Sequence, residues 1–260
     1  MAPMTLPWRG AAPDRPDLPL PPARMPLLRG GRPLKRWRWV GAFSPVAMAC
    51  VARATIGGIP VTWWAVWDGE RLREGTRGVK LRPGHAGAPG LDLAFEEGEG
   101  VEVVSAHGAQ HIWTRKQAGM PIRGSVLGRP FEGRGFVDDS AGYHARHTAW
   151  RWSAGVGTAA SGAPVAWNLV EGVHDGLQAS ERTIWVDGEP HHVPPQPFAD
   201  DLSSVGELRC EPLAVRKHRQ NRVLVASAYE MPFGRFGGAL PVAGPLREGW
   251  GVMERHRVRW

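Results

Sequence analysis

The chain has 260 residues, a formal net charge of +7 at pH 7, 42% hydrophobic residues, 34 glycines, 24 prolines and 13 tryptophans. A chain of this length can bury a sizeable core, as one large domain or as two smaller ones that share an interface. The many glycines and prolines indicate short elements joined by tight turns, which argues against long helices. Cys50 and Cys210 belong to no CxxC pattern, which excludes a zinc-finger site and a disulfide framework.

The positive charge is concentrated at the two ends of the chain. Residues 1–40 carry a net charge of +6 and residues 207–260 a net charge of +5, whereas residues 41–206 carry −4. A uniform nucleic-acid footprint is therefore not indicated, and no specific nucleic-acid partner is expected. No apolar stretch reaches the roughly 18 residues that suggest a membrane span, and the first residues lack a signal-peptide core. A reduced, cytoplasmic setting is therefore predicted.

The first part of the chain differs in composition from the rest. Residues 1–34 contain nine prolines and little apolar periodicity, so they are predicted to form an extended N-terminal arm. From residue 35 onward, short runs rich in β-branched and aromatic residues alternate with turns, as in "VTWWAVWDGERLREG" and "RTIWVDGEPHHV". Their Asp-Gly pairs are typical of β-hairpin turns. Residues 35–260 are therefore predicted to be mostly antiparallel strands.

The predicted strands must bury their edges and faces against one another. No segment has a sustained 3.6-residue apolar repeat, so helices are not expected to form this core. Because exposed sheet edges invite aggregation, we expect either closure into a β-barrel or the packing of two sheets. The sequence therefore predicts an all-β protein, either as one barrel or as two sheet modules with an internal boundary near residues 120–140.

The stretch "DDSAGYHARHTAWRWSAGVG", residues 138–157, is dense in polar and aromatic side chains. Flanking glycines and the spacing of its tryptophans favour a strand, with Asp138, Asp139 and Ser140 in a turn before it. Alternation along a strand then gives one face with His144, Trp150 and Trp152, and another with Tyr143, His147 and Arg151. Histidines on opposite faces cannot chelate one metal ion together, so no metal site is predicted.

Alternation is also informative in "AWNLVEGVHD", residues 166–175. Trp167, Leu169, Glu171 and Val173 share one face, which places a carboxylate among apolar side chains. Such a group either pairs with a cation or has a raised pKa, and both arrangements are common at functional sites. Pairing with a structural arginine is the alternative for Glu171. His174 follows where the strand runs into a loop, and loops at barrel mouths often carry function.

The terminal segment "VMERHRVRW" separates into two faces. Its arginines share one face, whereas Glu254 and His256 share the other with Val252, Val258 and Trp260. One strand could therefore present a carboxylate and an imidazole to a single cavity. The alternative is a hydrogen-bonded buried pair that holds the last strand in register.

Several long motifs together resemble a known family. At "GRPLKRWRWVGAF", "DDSAGYHARHTAWRWSAGVG", "AWNLVEGVHDG", "SERTIWVDGEP" and "GVMERHRVRW", the chain resembles the bacterial domain-of-unknown-function family 2804 (DUF2804), from about Arg29 to its end. That family is similar at fold level to lipocalin-like proteins that include carotenoid hydratases and tocopherol cyclase, so the resemblance implies a lipocalin-like β-barrel. It also implies a chemistry in which a neutral carboxylic acid protonates an alkene and aromatic faces stabilise the cation.

Together these features predict a protein that binds or transforms an apolar or isoprenoid-like small molecule in a tryptophan-lined cavity, without a cofactor. If it is an enzyme, we expect a hydratase, cyclase or isomerase type of lyase that uses carboxylate acid catalysis. Glu171 is the expected proton donor, with His144, His174, Glu254 and His256 as partners. The expected substrate-binding residues are Trp150, Trp152, Trp167, Tyr143 and Arg151. The alternative is a non-enzymatic structural or interaction protein with a filled barrel, whose basic ends contact an anionic partner.

Overall fold

The computed structural model describes residues 6–221 and 226–260. Its N-terminal segment contains β1 (Trp8–Gly10), a 3-10 turn at Ala12–Asp14, β2 (Leu28–Arg29) and β3 (Arg32–Pro33). The next ten strands are β4 (Lys35–Phe43), β5 (Met48–Ile56), β6 (Ile59–Trp67), β7 (Leu72–Gly75), β8 (Lys80–Arg82), β9 (His85–Ala88), β10 (Leu91–Phe95), β11 (Val101–His107), β12 (Gln110–Val126) and β13 (Arg129–Gly142). The last eight are β14 (His147–Ala159), β15 (Pro164–Glu171), β16 (Thr183–Val186), β17 (Glu189–His192), β18 (Ser204–Val205), β19 (Leu208–Asn221), β20 (Ala226–Leu240) and β21 (Gly244–Arg259).

These strands form two large antiparallel sheets and one small hairpin. The first sheet has eleven strands in the order β7-β6-β5-β4-β13-β12-β10-β9-β8, with β11 paired to the other half of β12 and β1 paired to β11. The second sheet has eight strands in the order β17-β16-β15-β14-β21-β20-β19-β18. Among the described strands, β2 and β3 pair only with each other. The predicted all-β antiparallel class is confirmed. The described strands form two packed sheets, and in neither sheet do the first and last strands of the order pair with each other.

Helical structure is minimal. Within residues 6–221 and 226–260, no helix is long and apolar enough to cross a lipid bilayer.

The β12–β13 hairpin sets the register of the first sheet. Its two-residue turn at Leu127 and Gly128 has positive φ angles of 52° and 78° at both positions, the backbone of a tight hairpin turn that matches strand twist. A bulge between Ala118 and Pro121 shifts the pairing by one residue, so that Lys116 lies opposite Asp138. Because side chains alternate, this shift decides which of them face the second sheet.

The main hydrophobic core lies between the two sheets. It joins Trp39, Phe43 and Phe136 of the first sheet to Trp152 and Phe233 of the second. Three aromatic edge-to-face contacts connect Trp39, Phe136 and Trp152, with ring centroids 5.2–6.2 Å apart. Such contacts add to the area buried and fix how the sheets face each other.

Separate cores cover the outer faces of the sheets. One lies in the curl of the first sheet around Leu93, Ile122 and Phe131. Another lies behind the second sheet around Trp167 and Phe236. Leu20 and Met25 of the N-terminal segment pack with Trp113 and Tyr143 in a further cluster. The N-terminal segment therefore covers part of the first sheet.

The stretch around residue 140 corrects two expectations. Asp138, Asp139 and Ser140 lie inside β13 and not in a turn, because β13 pairs with β12 and β4 along this whole segment. The following strand begins only at His147, and residues 143–146 connect the first sheet to the second. His144 therefore lies in the connection, although Trp150 and Trp152 share one face as predicted.

Candidate functional site

A cavity of about 670 Å³ lies between the two sheets. Six tryptophans form much of its wall. Five come from strands β4, β6 and β14 and the sixth is the C-terminal residue: Trp37, Trp39, Trp63, Trp150, Trp152 and Trp260. The lining also includes the exposed side chains of Ile59 and Val61, so the cavity reaches the surface beside the β5–β6 hairpin. A concave, mostly apolar space with a few polar groups is the usual form of a small-molecule site.

Strand alternation explains why so many functional groups reach this cavity. On β14 and β21, Trp150 lies opposite His256 and Trp152 lies opposite Glu254. All four side chains project from the same face of the second sheet into the cavity. The prediction that Glu254 and His256 point inward together is therefore confirmed.

Glu254 is a buried carboxyl group without a charged partner in the described part of the chain. Its side chain accepts a hydrogen bond from Trp150, with 2.7 Å between Nε1 and Oε1, and it forms no ion pair within the described part of the chain. Burial raises the pKa of Glu254 to about 7, and the hydrogen bond from Trp150 opposes that rise. The carboxyl group can therefore be neutral near physiological pH and donate a proton into the cavity.

His256 is held neutral beside Glu254. Its Nε2 atom is 2.8 Å from the Ser227 hydroxyl, and its ring centroid is 4.5 Å from that of Trp150. Burial lowers the pKa of His256 to about 3, and nearby Arg216 acts in the same direction. The imidazole can therefore exchange hydrogen bonds in the cavity without carrying a charge.

A buried ion cluster occupies another part of the cavity wall. Lys116 Nζ is 2.5 Å from Asp138 Oδ1 and 3.3 Å from Glu181 Oε2, and all three residues are buried. The Trp37 indole also donates a hydrogen bond to Asp138, with 3.2 Å between Nε1 and Oδ2. Burial acts to lower the pKa of Lys116, but the two carboxylates outweigh it and raise that pKa. Burial raises the pKa of Glu181 to about 7, against the attraction of Lys116.

His174 lies next to this cluster and also lines the cavity. Its Nδ1 atom is 2.9 Å from the Ser105 hydroxyl, while Nε2 has no hydrogen-bond partner among the described residues. His174 has a positive φ of 48°, which is uncommon for a residue with a side chain and marks a constrained backbone. Burial holds the pKa of His174 well below its usual value, so the imidazole is neutral.

The structure brings together half of the residues predicted from the sequence. Those that line the cavity are Trp150, Trp152, His174, Glu254 and His256. His144 is buried just outside it, with its ring centroid 5.5 Å from that of Trp37 and 6.1 Å from that of Trp260.

Four predicted residues lie elsewhere. Glu171 is exposed at the end of β15 and pairs with Arg151 at 2.9 Å, so the expected apolar surroundings are absent and the arginine alternative describes it. Arg151 also pairs with Asp200 on the outer face. Trp167 packs in the core behind the second sheet and donates to Ser153. The Tyr143 hydroxyl donates to the Pro26 carbonyl under the N-terminal segment.

The three residues of the buried ion cluster were not predicted as site residues from the sequence. Lys116 and Asp138 are 22 residues apart and meet only through the register of the β12–β13 hairpin. A count outward from the Leu127–Gly128 turn could have found them, provided that the bulge was recognised. Glu181 lies in the connection between β15 and β16, and no pattern in that polar segment indicates that it is buried.

No group of three or more His, Cys, Asp or Glu side chains is positioned to hold a metal ion within the described residues.

Comparison of the chain with known proteins identifies the family to which it belongs. The family model described as "Domain of unknown function (DUF2804)" matches residues 70–260, which cover β7 to β21 and the cavity residues Lys116, Asp138, Glu181 and Glu254. The chain belongs to this family. The DUF2804 resemblance in the sequence motifs is thereby confirmed. A search of curated proteins found no match.

Two solved structures have a backbone fold similar to that of this DUF2804 protein. Kievitone hydratase from Nectria haematococca has 8% identity and a TM-score of 0.48, covering 84% of this chain and 88% of that chain. CghA has 8% identity and a TM-score of 0.41, covering 87% and 88%. Likenesses this distant say nothing about activity.

Proposed function

We propose that this protein binds a small, largely apolar molecule in the cavity between the sheets and that Glu254 donates a proton to it. The observation that carries the proposal is a carboxyl group that has no cationic partner among the described residues and faces a cavity walled by tryptophans. A volume of about 670 Å³ lies within the usual range for small-molecule sites. A buried polar group that only stabilised the fold would be expected to have its charge paired or its space filled.

The surroundings of Glu254 suit acid catalysis on an alkene or a similar electron-rich group. The proton would move from the Glu254 carboxyl to the double bond, leaving a carbocation on the bound molecule. Tryptophan faces attract positive charge, so Trp150 and Trp152 would stabilise that cation. Water, a nucleophile within the molecule, or loss of a different proton would then end the reaction, and Glu254 would take up a proton from solvent to restore the neutral acid. The products correspond to hydration, cyclisation or isomerisation.

A second carboxyl group supplies the complementary role. Glu181 has a raised pKa like Glu254, but it contacts Lys116, which favours its ionised form. Two carboxyl groups in different environments can be protonated and ionised at the same pH, as acid–base catalysis requires. Glu181 is therefore our candidate for the base that accepts the proton released by the substrate.

Native mass spectrometry of the protein purified from its own host, followed by extraction, tests the binding step and identifies what is retained. An Ala54→Trp substitution places a large side chain at the cavity wall. We expect retention to fall by about tenfold or more, because a loss of about 1.4 kcal/mol in binding free energy lowers the affinity tenfold. Arg53→Trp is the matched control, because Arg53 is exposed on the opposite face of the same strand. Equal retention in both variants would place the ligand outside this cavity.

The chemical step is tested with the identified molecule and a Glu254→Gln variant. Gln keeps an oxygen that can accept the Trp150 hydrogen bond but has no acidic proton, so we expect retained binding with conversion lost by at least about a hundredfold. Unchanged conversion would remove Glu254 as the proton donor. Binding without conversion in the unmodified protein would leave a binding function alone.

A further inference from the structure

We infer that the end of the molecule containing the cavity mouth docks on the surface of an anionic lipid membrane. Several strand ends meet there. Lys35 pairs with Ile56 at the end of the first sheet, and His147 pairs with Arg259 at the end of the second. The ammonium group of Lys35 lies 4.5 Å from the ring centroid of Trp260, which joins the two sheet ends.

This end of the molecule carries an excess of positive charge. Five chain segments at this end, residues 24–36, 52–63, 143–149, 216–221 and 255–260, contain thirteen Lys or Arg and no Asp or Glu. The neighbouring acids Glu74 and Glu230 pair with three of these thirteen residues and leave the excess positive. Within the described part of the chain, only Arg216, Lys217 and Arg255 of these thirteen residues form ion pairs, and the arginines without one include Arg29, Arg146, Arg219, Arg257 and Arg259. Arg219, Arg257 and Arg259 also line a shallow groove with His147 next to the mouth. A cationic surface of this kind attracts anionic headgroups.

Apolar side chains project from the same end. Leu27, Leu28 and Ile59 are 61%, 64% and 70% exposed, and Val61 is 46% exposed. The β2–β3 hairpin region and the β5–β6 hairpin are neighbours, because Leu34 lies between them and accepts a hydrogen bond from Gly57 while donating to Leu27. Exposed aliphatic side chains on adjacent hairpins have no stabilising role in water, and they can enter the boundary between headgroups and acyl chains.

The combination favours a membrane over a nucleic acid. A single-stranded nucleic acid is bound by exposed aromatic faces combined with basic residues. Here the tryptophans line the interior, and the exposed tips carry Leu, Ile and Val. An apolar molecule could then pass between the bilayer and the cavity through Ile59 and Val61, which belong both to the surface and to the cavity lining. The docking itself does not depend on which molecule the cavity holds.

Co-sedimentation of the whole protein with phosphatidylcholine vesicles, with and without phosphatidylserine, tests this inference. We expect binding only to the phosphatidylserine vesicles, weakened by added salt. Each surface arginine strengthens such binding by about fivefold, so the Arg219→Gln, Arg257→Gln double variant should bind about 25-fold more weakly. Arg129→Gln, Arg209→Gln is the matched control, since these exposed arginines lie at the opposite ends of the sheets.

An Ile59→Gln variant tests the apolar contribution and should also weaken vesicle binding. Equal binding to both kinds of vesicle, absence of binding at low salt, or equal loss in the double variant and its control would overturn the inference. Binding to a single-stranded oligonucleotide that is unaffected by Ile59→Gln, with no vesicle binding, would assign the basic surface to nucleic acid instead.

Discussion

The indole of Trp150 donates its N–H to Oε1 of Glu254 at 2.7 Å, and the two residues lie diagonally across the β14–β21 pairing. The side chains come from neighbouring strands of one sheet, so sheet register alone sets their distance. An indole N–H is a neutral donor, which orients the carboxyl group without forcing it to ionise. The pair therefore keeps an acid in place while leaving its proton available.

The Glu254→Gln substitution should change how stability depends on pH. The folded pKa of Glu254 is about 7, above its ordinary value of 4.5, so its contribution is fully present below about pH 4.5 and is lost as pH rises through 7. The unmodified protein should lose about 3 kcal/mol of unfolding free energy from this group over that interval. The variant lacks this loss. Urea unfolding of both proteins at about pH 4.5 and about pH 8 measures the difference, and a difference independent of pH would contradict the assignment.

His256→Gln should act at lower pH and with the opposite sign. The folded pKa of His256 is about 3, below the ordinary 6.5, so the neutral imidazole contributes stability above pH 6.5 that is lost as pH falls towards 3. Gln can still hydrogen-bond to Ser227 and does not titrate. We expect its acid-unfolding midpoint to move to lower pH. His191→Gln, at an exposed histidine, is the control and should leave the midpoint unchanged.

Lys116→Met should destabilise the protein by about 3–5 kcal/mol, because it leaves two buried carboxyl groups without their cation. Arg123→Met removes an exposed ion pair with Glu132 and should change the free energy of unfolding by less than about 1 kcal/mol. Chemical denaturation measures both. Adding Asp138→Asn and Glu181→Gln to Lys116→Met should recover much of the loss, and failure to do so would show that packing around Lys116 dominates.

Gly155→Ala should destabilise the second sheet. A methyl group at Gly155 would run into the Trp167 ring and lie 2.6 Å from the Trp250 carbonyl oxygen. Overpacking of this kind typically costs about 1–3 kcal/mol. Gly237→Ala is the matched control, since nothing lies within 4 Å of the methyl group there. Similar thermal stability for the two variants would mean that Trp167 can move aside.

Sequence periodicity predicted the terminal strand correctly because its two faces differ in chemistry. Arginines alternate with Val, Glu and His in "VMERHRVRW", so only one arrangement keeps the arginines in water, and Glu254 and His256 are inside. On β15 the same method grouped Trp167, Leu169 and Glu171 correctly, but both faces of that strand are covered by apolar cores. Alternation cannot tell which of two buried faces borders a cavity.

Long-range register explains what the sequence did not reveal. In "VDDSAG", Asp138 has the sequence surroundings of a turn residue. Its carboxylate can be buried in a strand because it pairs with Lys116. That pairing depends on one bulge, and a one-residue slip would have turned Lys116 to the other face of its strand. Local patterns carry no information on such a shift.

The tryptophan wall has two origins along the chain. Trp37, Trp39 and Trp63 precede the segment matched by the family model, whereas the cavity's acidic groups and Lys116 lie inside it. The candidate acid–base residues and half of the cavity's tryptophans therefore lie in different stretches of the sequence. Chimaeras that exchange residues 35–67 between family members should alter ligand selectivity while retaining Lys116, Glu181 and Glu254, which makes that stretch the natural place to re-engineer specificity.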